Sequence, residues 1–287
     1  MTDFKNAKEL LALCHKNHQR VSDVMRQREC ELGEVSMDQA CGRMRKVLEV
    51  MRQSAQKPIK MPQKSMGGLI GGEARMLDVY QGKGSSVCGK VLGRGITYAM
   101  AVLEVNASMG VIVAAPTAGS AGVVPGVLLA LQEEYGISDE RMVDALFHAG
   151  AIGYLAMRNA TVAGAVGGCQ AEVGVAAAMA SSAAVELMGG DVQQSLDAAA
   201  TVLMNMLGLV CDPVGGLVEY PCQNRNAAGV ANALVAAELA LAGIRQLIPF
   251  DEMLDTMYQV GRRIPYELRE TALGGCAAAP SGCRFCH

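Results

Sequence analysis

From Ser65 to Ile248 the chain is rich in alanine and glycine, sparse in charge, and free of any clean apolar–polar alternation. That run constrains the fold more than any other feature. A half-buried sheet needs period-two patterning and draws on aromatic and β-branched residues. Here aromatics are only 4% of the chain and tryptophan is absent, while hydrophobic residues reach 51%. The core must therefore be built from Ala, Leu, Val, Met and Gly, whose small side chains let helices approach closely. The expectation is an all-α fold, a compact multi-helix unit.

Periodicity places helices at Ala7–His15 and Met37–Gln53 in the charged first 56 residues. Lys57–Lys64, with two prolines and three lysines, reads as a linker or surface loop. Further helices are expected near 86–107, 123–135, 138–157, 170–188, 191–207 and 226–247, with a short one over Asp251–Gly261. Ser138 and Asp191 are placed to cap two of them. Val111–Ala115 is a short apolar run that fits either helix or strand, and the tail from Thr271 reads as loop. Residues 1–60 are expected as a helical segment packed on the core, and 61–287 as the main body with its tail, the two forming one structural unit.

Charge and length exclude some functions. A net charge of -3 without a basic stripe argues against nucleic-acid binding. The uncharged stretch Val105–Gln132 is long enough to span a bilayer. Pro116, Pro125 and four glycines interrupt it, so no membrane span is expected. Ten cysteines in a chain of 287 residues, opening on a charged amphipathic segment, suit reduced thiols and a cytoplasmic setting.

Three cysteines stand beside glycine or proline at helix edges: Cys169, Cys211 and Cys222. Forty-one residues separate the first two and ten the second pair, so they form no Cys-x-x-Cys zinc knuckle. An iron–sulfur cluster tolerates irregular spacing, and three ligands leave one iron open. Cysteine is also a small buried hydrophobe, and spacing alone leaves that alternative standing. Thr117–Gly122 forms a glycine turn whose N–H groups, with the Thr117 and Ser120 hydroxyls, suit a carboxylate. A plain helix-linking turn is the alternative. Ser65–Gly72 poses the same choice, without phosphate-loop spacing.

Arg225 either pairs with a carboxylate or offsets cluster charge, or is a surface arginine. Glu172, three residues after Cys169, either orients a ligand or carries a proton, or is a first-turn acid favoured by the helix dipole. His148 reads as a satisfied core histidine. His15, His18 and His287 offer no convincing base. In the tail, the Cys283-x-x-Cys286 pair fits metal binding or a redox role.

Four segments together resemble a known family: Glu104-Val-Asn-Ala-Ser-Met-Gly110, Pro116-Thr-Ala-Gly-Ser-Ala-Gly-Val-Val-Pro-Gly126, Gly167-Gly-Cys-Gln-Ala-Glu-Val-Gly174, and Leu209-Val-Cys-Asp-Pro-Val-Gly-Gly-Leu-Val-Glu-Tyr-Pro-Cys222. They are similar to the catalytic (alpha) domain of the iron–sulfur-dependent bacterial L-serine dehydratases, and the likeness runs from about residue 5 to Pro280. The resemblance implies an all-helical catalytic domain with glycine-rich active-site loops, without pyridoxal phosphate. It implies a [4Fe–4S] cluster held by Cys169, Cys211 and Cys222, with the unique iron as Lewis acid on L-serine in amino-acid catabolism and gluconeogenesis. Substrate is then expected at Ser65, Gly68, Thr117, Gly119, Ser120, Gly122, Arg225 and Asn226, with Glu172 as the catalytic acid or base. The family's Ser-Ser-Ser-His motif is absent, so a separate beta subunit carrying it, and hence a hetero-oligomer, is expected. Some relatives end in a cysteine that reaches the cluster, which makes Cys283 or Cys286 a possible fourth ligand. L-threonine or L-cysteine as substrate, and a non-catalytic metal- or redox-sensing module, are the competing expectations.

Overall fold

A computed structural model describes residues 2–84 and 86–285. Among them are twelve α-helices and no strand beyond one isolated bridge. The all-α expectation holds. Helices α1 (Ala7–Asn17), α2 (Val21–Gly33) and α3 (Met37–Lys60) precede α4 (Glu73–Gln81) and α5 (Gly89–Ala107). Then come α6 (Val123–Tyr135), α7 (Asp139–Asn159), the single-turn α8 (Gly164–Gly167), α9 (Val175–Leu187), α10 (Val192–Asn205), α11 (Cys222–Leu241) and α12 (Phe250–Arg263).

Helix α9 is the hub. Every residue from Val175 to Glu186 is buried, and α6, α7, α10 and α11 surround it. A helix apolar on all sides must lie inside the molecule, and its alanines permit the crowding. Close approach is visible where α5 crosses α6. A Cβ on Gly126 would lie 2.8 Å from the Gly95 carbonyl oxygen, so nothing larger fits that crossing. One continuous apolar core runs from Phe4 in the N-terminal segment to Met257 in α12.

Local signals account for several boundaries. Asp191 and Ser36 each close a capping box with the glutamine three residues on, and Ser138 accepts the Arg141 N–H. Other boundaries differ from expectation. Pro58 does not stop α3, which continues to Lys60 because Pro58 and Ile59 are buried in the core. Helices α2 and α4 are additional to those expected; both are short and polar on average, and tertiary contact with α7 and α5 holds them. Helix α11 spans 222–241 and not 226–247, since it begins at Cys222 and is followed by the left-handed Gly243. Val111–Ala115 is neither helix nor strand. No helix among the described residues is long and apolar enough to cross a membrane.

His148 lies wholly buried in α7, its Nδ1 2.8 Å from Glu186 Oε2 and its Nε2 2.7 Å from Ser182 Oγ. The trio resembles a hydrolase triad in order, but no substrate reaches it. Burial pushes the Glu186 carboxyl up, yet His148 and the Ser22 hydrogen bonds outweigh it and hold the group at about 2. The folded value lies below the ordinary 4.5. This stabilisation is therefore complete above about pH 4.5 and is lost as pH falls toward 2. Glu186→Gln is expected to cost about 1–3 kcal/mol, because it disturbs the buried acceptor that serves the His148 ring and the Ser22 N–H. It should also flatten the fall in stability between pH 4.5 and 2, measured by urea unfolding across pH.

Candidate active site

The three glycine- and proline-flanked cysteines are buried and converge from three elements. Cys169 precedes a π-helical turn, Gln170–Gly174, that leads into α9. Such turns widen the helix and re-aim its side chains. Cys211 lies on the extended segment after α10, and Cys222 opens α11. The Cys211 backbone is pinned from both sides: its N–H donates to Leu268 O at 2.9 Å, and its carbonyl accepts the Glu270 N–H at 2.6 Å. Gln170 ties the same region to α12. Its Nε2 donates to Gly167 O and Met257 O, and its Oε1 accepts the Gly208 N–H, each at 2.9 Å.

The thiols sense one another. Burial pushes Cys222 up to about 12, and the proximity of Cys169 and Glu172 adds to it. Burial raises Cys211 further still, with Cys169, Glu172 and Glu270 contributing. Cys169 reaches only about 11, because the Arg225 guanidinium offsets part of the burial effect. Without a cation among them, these thiols stay protonated at neutral pH. Arg225 is the positive side chain that acts on Cys169 and Cys222. Its Nη1 donates to Val210 O at 2.8 Å and pairs with Asp212 Oδ1 at 2.6 Å. Asp212 Oδ2 accepts the Cys276 N–H at 2.6 Å, which fastens the tail to the Cys211 loop.

Glu172 projects from the π turn between the thiols and the Thr117 loop. Thr117 Oγ1 donates to Glu172 Oε1 at 2.9 Å, and Cys211 Sγ lies 3.8 Å from Oε2. Burial raises its pKa; the Thr117 hydrogen bond opposes this, and Glu270 adds to it. Gly164 closes the wall on that side. A Cβ there would stand 2.5 Å from Glu172 Oε2 and 3.0 Å from Cys211 Sγ.

The buried Asn226 staples the Thr117–Gly122 loop to α11. Its Oδ1 accepts the Gly122 N–H at 3.0 Å, and its Nδ2 donates to Gly119 O at 2.8 Å and Cys222 O at 2.9 Å. Ser120 is buried with its hydroxyl 3.0 Å from that of Thr117. Among the described residues the Ala118 and Gly119 N–H groups meet no acceptor. The Ser65 loop is organised differently. Ser65 Oγ donates to Glu219 Oε2 at 2.7 Å and accepts the Gly68 N–H at 3.1 Å. Ser65 and Gly68 thus face a carboxylate of the protein itself.

In the tail, Cys283 is exposed and its thiol donates to Ala277 O at 3.5 Å. Cys286 lies outside the described residues. Asp212, Glu219, Gln170 and Glu270 were not among the residues expected from sequence. A signal existed for two of them: Asp212 and Glu219 are the only charges between Cys211 and Cys222.

The geometry defines an all-helical protein with a cluster of buried thiols beside the Glu172 carboxyl. The profile of the serine dehydratase alpha chain family matches residues 16–277, and the chain belongs to that family. It is 48% identical to the probable L-serine dehydratase, alpha chain, of Bacillus subtilis, over 97% of this chain and 93% of that one. It is 41% identical to the L-serine dehydratase, alpha chain, of Peptoniphilus asaccharolyticus, over 97% and 96%. Against L-serine dehydratase 1 of Escherichia coli the identity is 34%, over 96% of this chain but 61% of that longer protein.

Proposed function

We propose that this chain is the catalytic subunit of an L-serine dehydratase, eliminating water from L-serine to yield pyruvate and ammonia. The reading rests on the family and on one observation, the facing of Cys169, Cys211 and Cys222 around Glu172. Among the described residues no three His, Cys, Asp or Glu side chains are arranged to hold a single metal ion. A [4Fe–4S] cluster asks for something else, since each thiolate takes its own iron and the sulfurs stand apart. Three buried thiols, a neighbouring guanidinium to offset thiolate charge, and a wall at Gly164 free of any Cβ fit such a group.

When bound, the cluster supplies an iron with an open position, a Lewis acid toward the serine hydroxyl and carboxylate. The chain's residues do the rest. Glu172, whose carboxyl burial pushes upward, lies with Oε2 beside Cys211 and is the group that delivers a proton to the departing hydroxyl. Thr117 fixes the orientation of that carboxyl through Oε1. The Ala118 and Gly119 N–H groups, held in place through Asn226, offer donors to the substrate carboxylate. Loss of water leaves an aminoacrylate, which tautomerises to the imine and hydrolyses. The base for the Cα proton belongs to a second chain, in keeping with the alpha-chain names of two of the relatives and the greater length of the Escherichia coli one.

The test is anaerobic co-purification with that second chain, followed by iron and sulfide analysis and a pyruvate assay on L-serine, L-threonine and L-cysteine without added pyridoxal phosphate. A brown protein that makes pyruvate from L-serine is expected. Failure to bind iron, or a bound cluster with no lyase activity in the two-chain complex, overturns the proposal.

A further inference from the structure

Glu219 stands three residues before Cys222 and is 2% exposed. A carboxylate in so dry a place requires donors. Among the described residues no Lys or Arg pairs with it. All its side-chain hydrogen bonds come instead from one loop about 150 residues earlier in the chain: Ser65 Oγ at 2.7 Å, the Gly67 N–H at 2.7 Å and the Leu69 N–H at 2.9 Å. Ser65 Oγ in turn accepts the Gly68 and Ile70 N–H groups. One carboxylate thus organises four consecutive backbone N–H groups, two directly and two through a hydroxyl.

The fit is close. A Cβ on Gly67 would overlap Leu217 Cδ1 and lie 2.8 Å from Glu219 Oε1, so only glycine lets the loop seat. On its other side the loop is not core. Gly68 and Leu69 line a cavity of about 480 Å³ together with Val214, Tyr220, Cys276 and Phe285. The same 211–222 segment reaches the Thr117 loop, where Val218 packs beside Gly119. Glu219 therefore joins the Ser65–Ile70 loop to the segment that carries Cys211, Cys222 and the wall of the Glu172 pocket.

We propose that Glu219 is a positioning residue, a carboxylate clamp that holds the Ser65–Ile70 loop as a fixed wall of the substrate pocket in register with the cysteine mount. The inference rests on the L-serine dehydratase reading for its kinetic arm alone. The clamp does not touch the reacting atoms. It acts by removing freedom from a glycine-rich loop, where a misplacement of about 1 Å is enough to cost on the order of a hundredfold in rate.

Glu219→Gln and Glu219→Ala, each in the full chain with its cluster and partner chain, test it. Glu219→Gln keeps the volume but turns one acceptor into a donor facing an N–H. It should raise KM for L-serine on the order of tenfold, lower kcat less, and leave iron content and visible absorption unchanged. Amide exchange at Gly67–Ile70 should quicken on the order of a hundredfold while α5 and α11 keep their protection. In Glu219→Ala, sodium formate but not formamide should restore part of kcat/KM and of the exchange protection, because the vacated seat binds an anion. Unchanged exchange at Gly67–Ile70, or no response to formate, overturns the clamp. Faster exchange with unaltered KM and kcat overturns its place on the substrate wall. Should wild-type protein make no pyruvate, the dehydratase reading fails on that assay, and the exchange and formate arms still judge the clamp.

Discussion

Cys211→Ala is expected to abolish cluster binding and lyase activity together, lowering kcat by more than about a thousandfold. Cys211 is the thiol most strongly affected by its surroundings: burial, Cys169, Glu172 and Glu270 all act on it. Its backbone is held at both N–H and carbonyl, so the sulfur has no freedom to be replaced by a neighbour. Two thiols do not retain a cubane cluster against solvent and oxygen. The loss is not expected to reflect unfolding, because deleting one small buried sulfur atom costs about 1 kcal/mol. Anaerobic iron and sulfide analysis beside the thermal midpoint of the metal-free protein checks this. A Cys211→Ala protein that keeps four irons and turns over L-serine would move the cluster to other ligands.

Glu172→Gln is expected to lower kcat by about 10²- to 10⁴-fold with little change in KM or in visible absorption. The amide keeps an acceptor for Thr117 Oγ1 and nearly the same shape, but it carries no transferable proton. The π turn makes the position specific, since Glu172 is aimed past Gly164 toward Cys211 and not along the face of α9. Pyruvate release under saturating L-serine, with iron content measured on the same sample, separates the outcomes. Loss of iron with the rate would mean that Glu172 supports the mount and moves no proton.

Much of the helical framework was legible because its causes are local. Helix α6 ends at Tyr135 before the left-handed Gly136, and Ser138 and Asp191 cap the helices that follow them. These boundaries need only a capping side chain or a glycine within a few residues. Helix α2 was missed because its charged residues hide a face that only α7 makes apolar; even Arg28 is buried there, over the Tyr154 ring. The end of α3 was missed because Pro58 reads as a stop until the burial of Ile59 is known.

The candidate site divides along the same line. Its cysteines stood out because glycine or proline lies within two residues of each one and marks a turn. The roles of Ser65, Gly68, Gly122 and Asn226 were not, because an N–H group in a glycine turn binds whichever acceptor packing brings to it. The Ser65 hydroxyl likewise finds Glu219, 154 residues away, and the Gly122 N–H finds Asn226, 104 residues away. By itself the sequence determined the helical class, a consequence of side-chain type and short-range patterning, while it singled out the three cysteines through motifs and not through their spacing. Only the tertiary structure decided which buried donor meets which buried acceptor. That choice follows from how helices distant in sequence pack, and a buried polar group must satisfy itself there or not be buried at all.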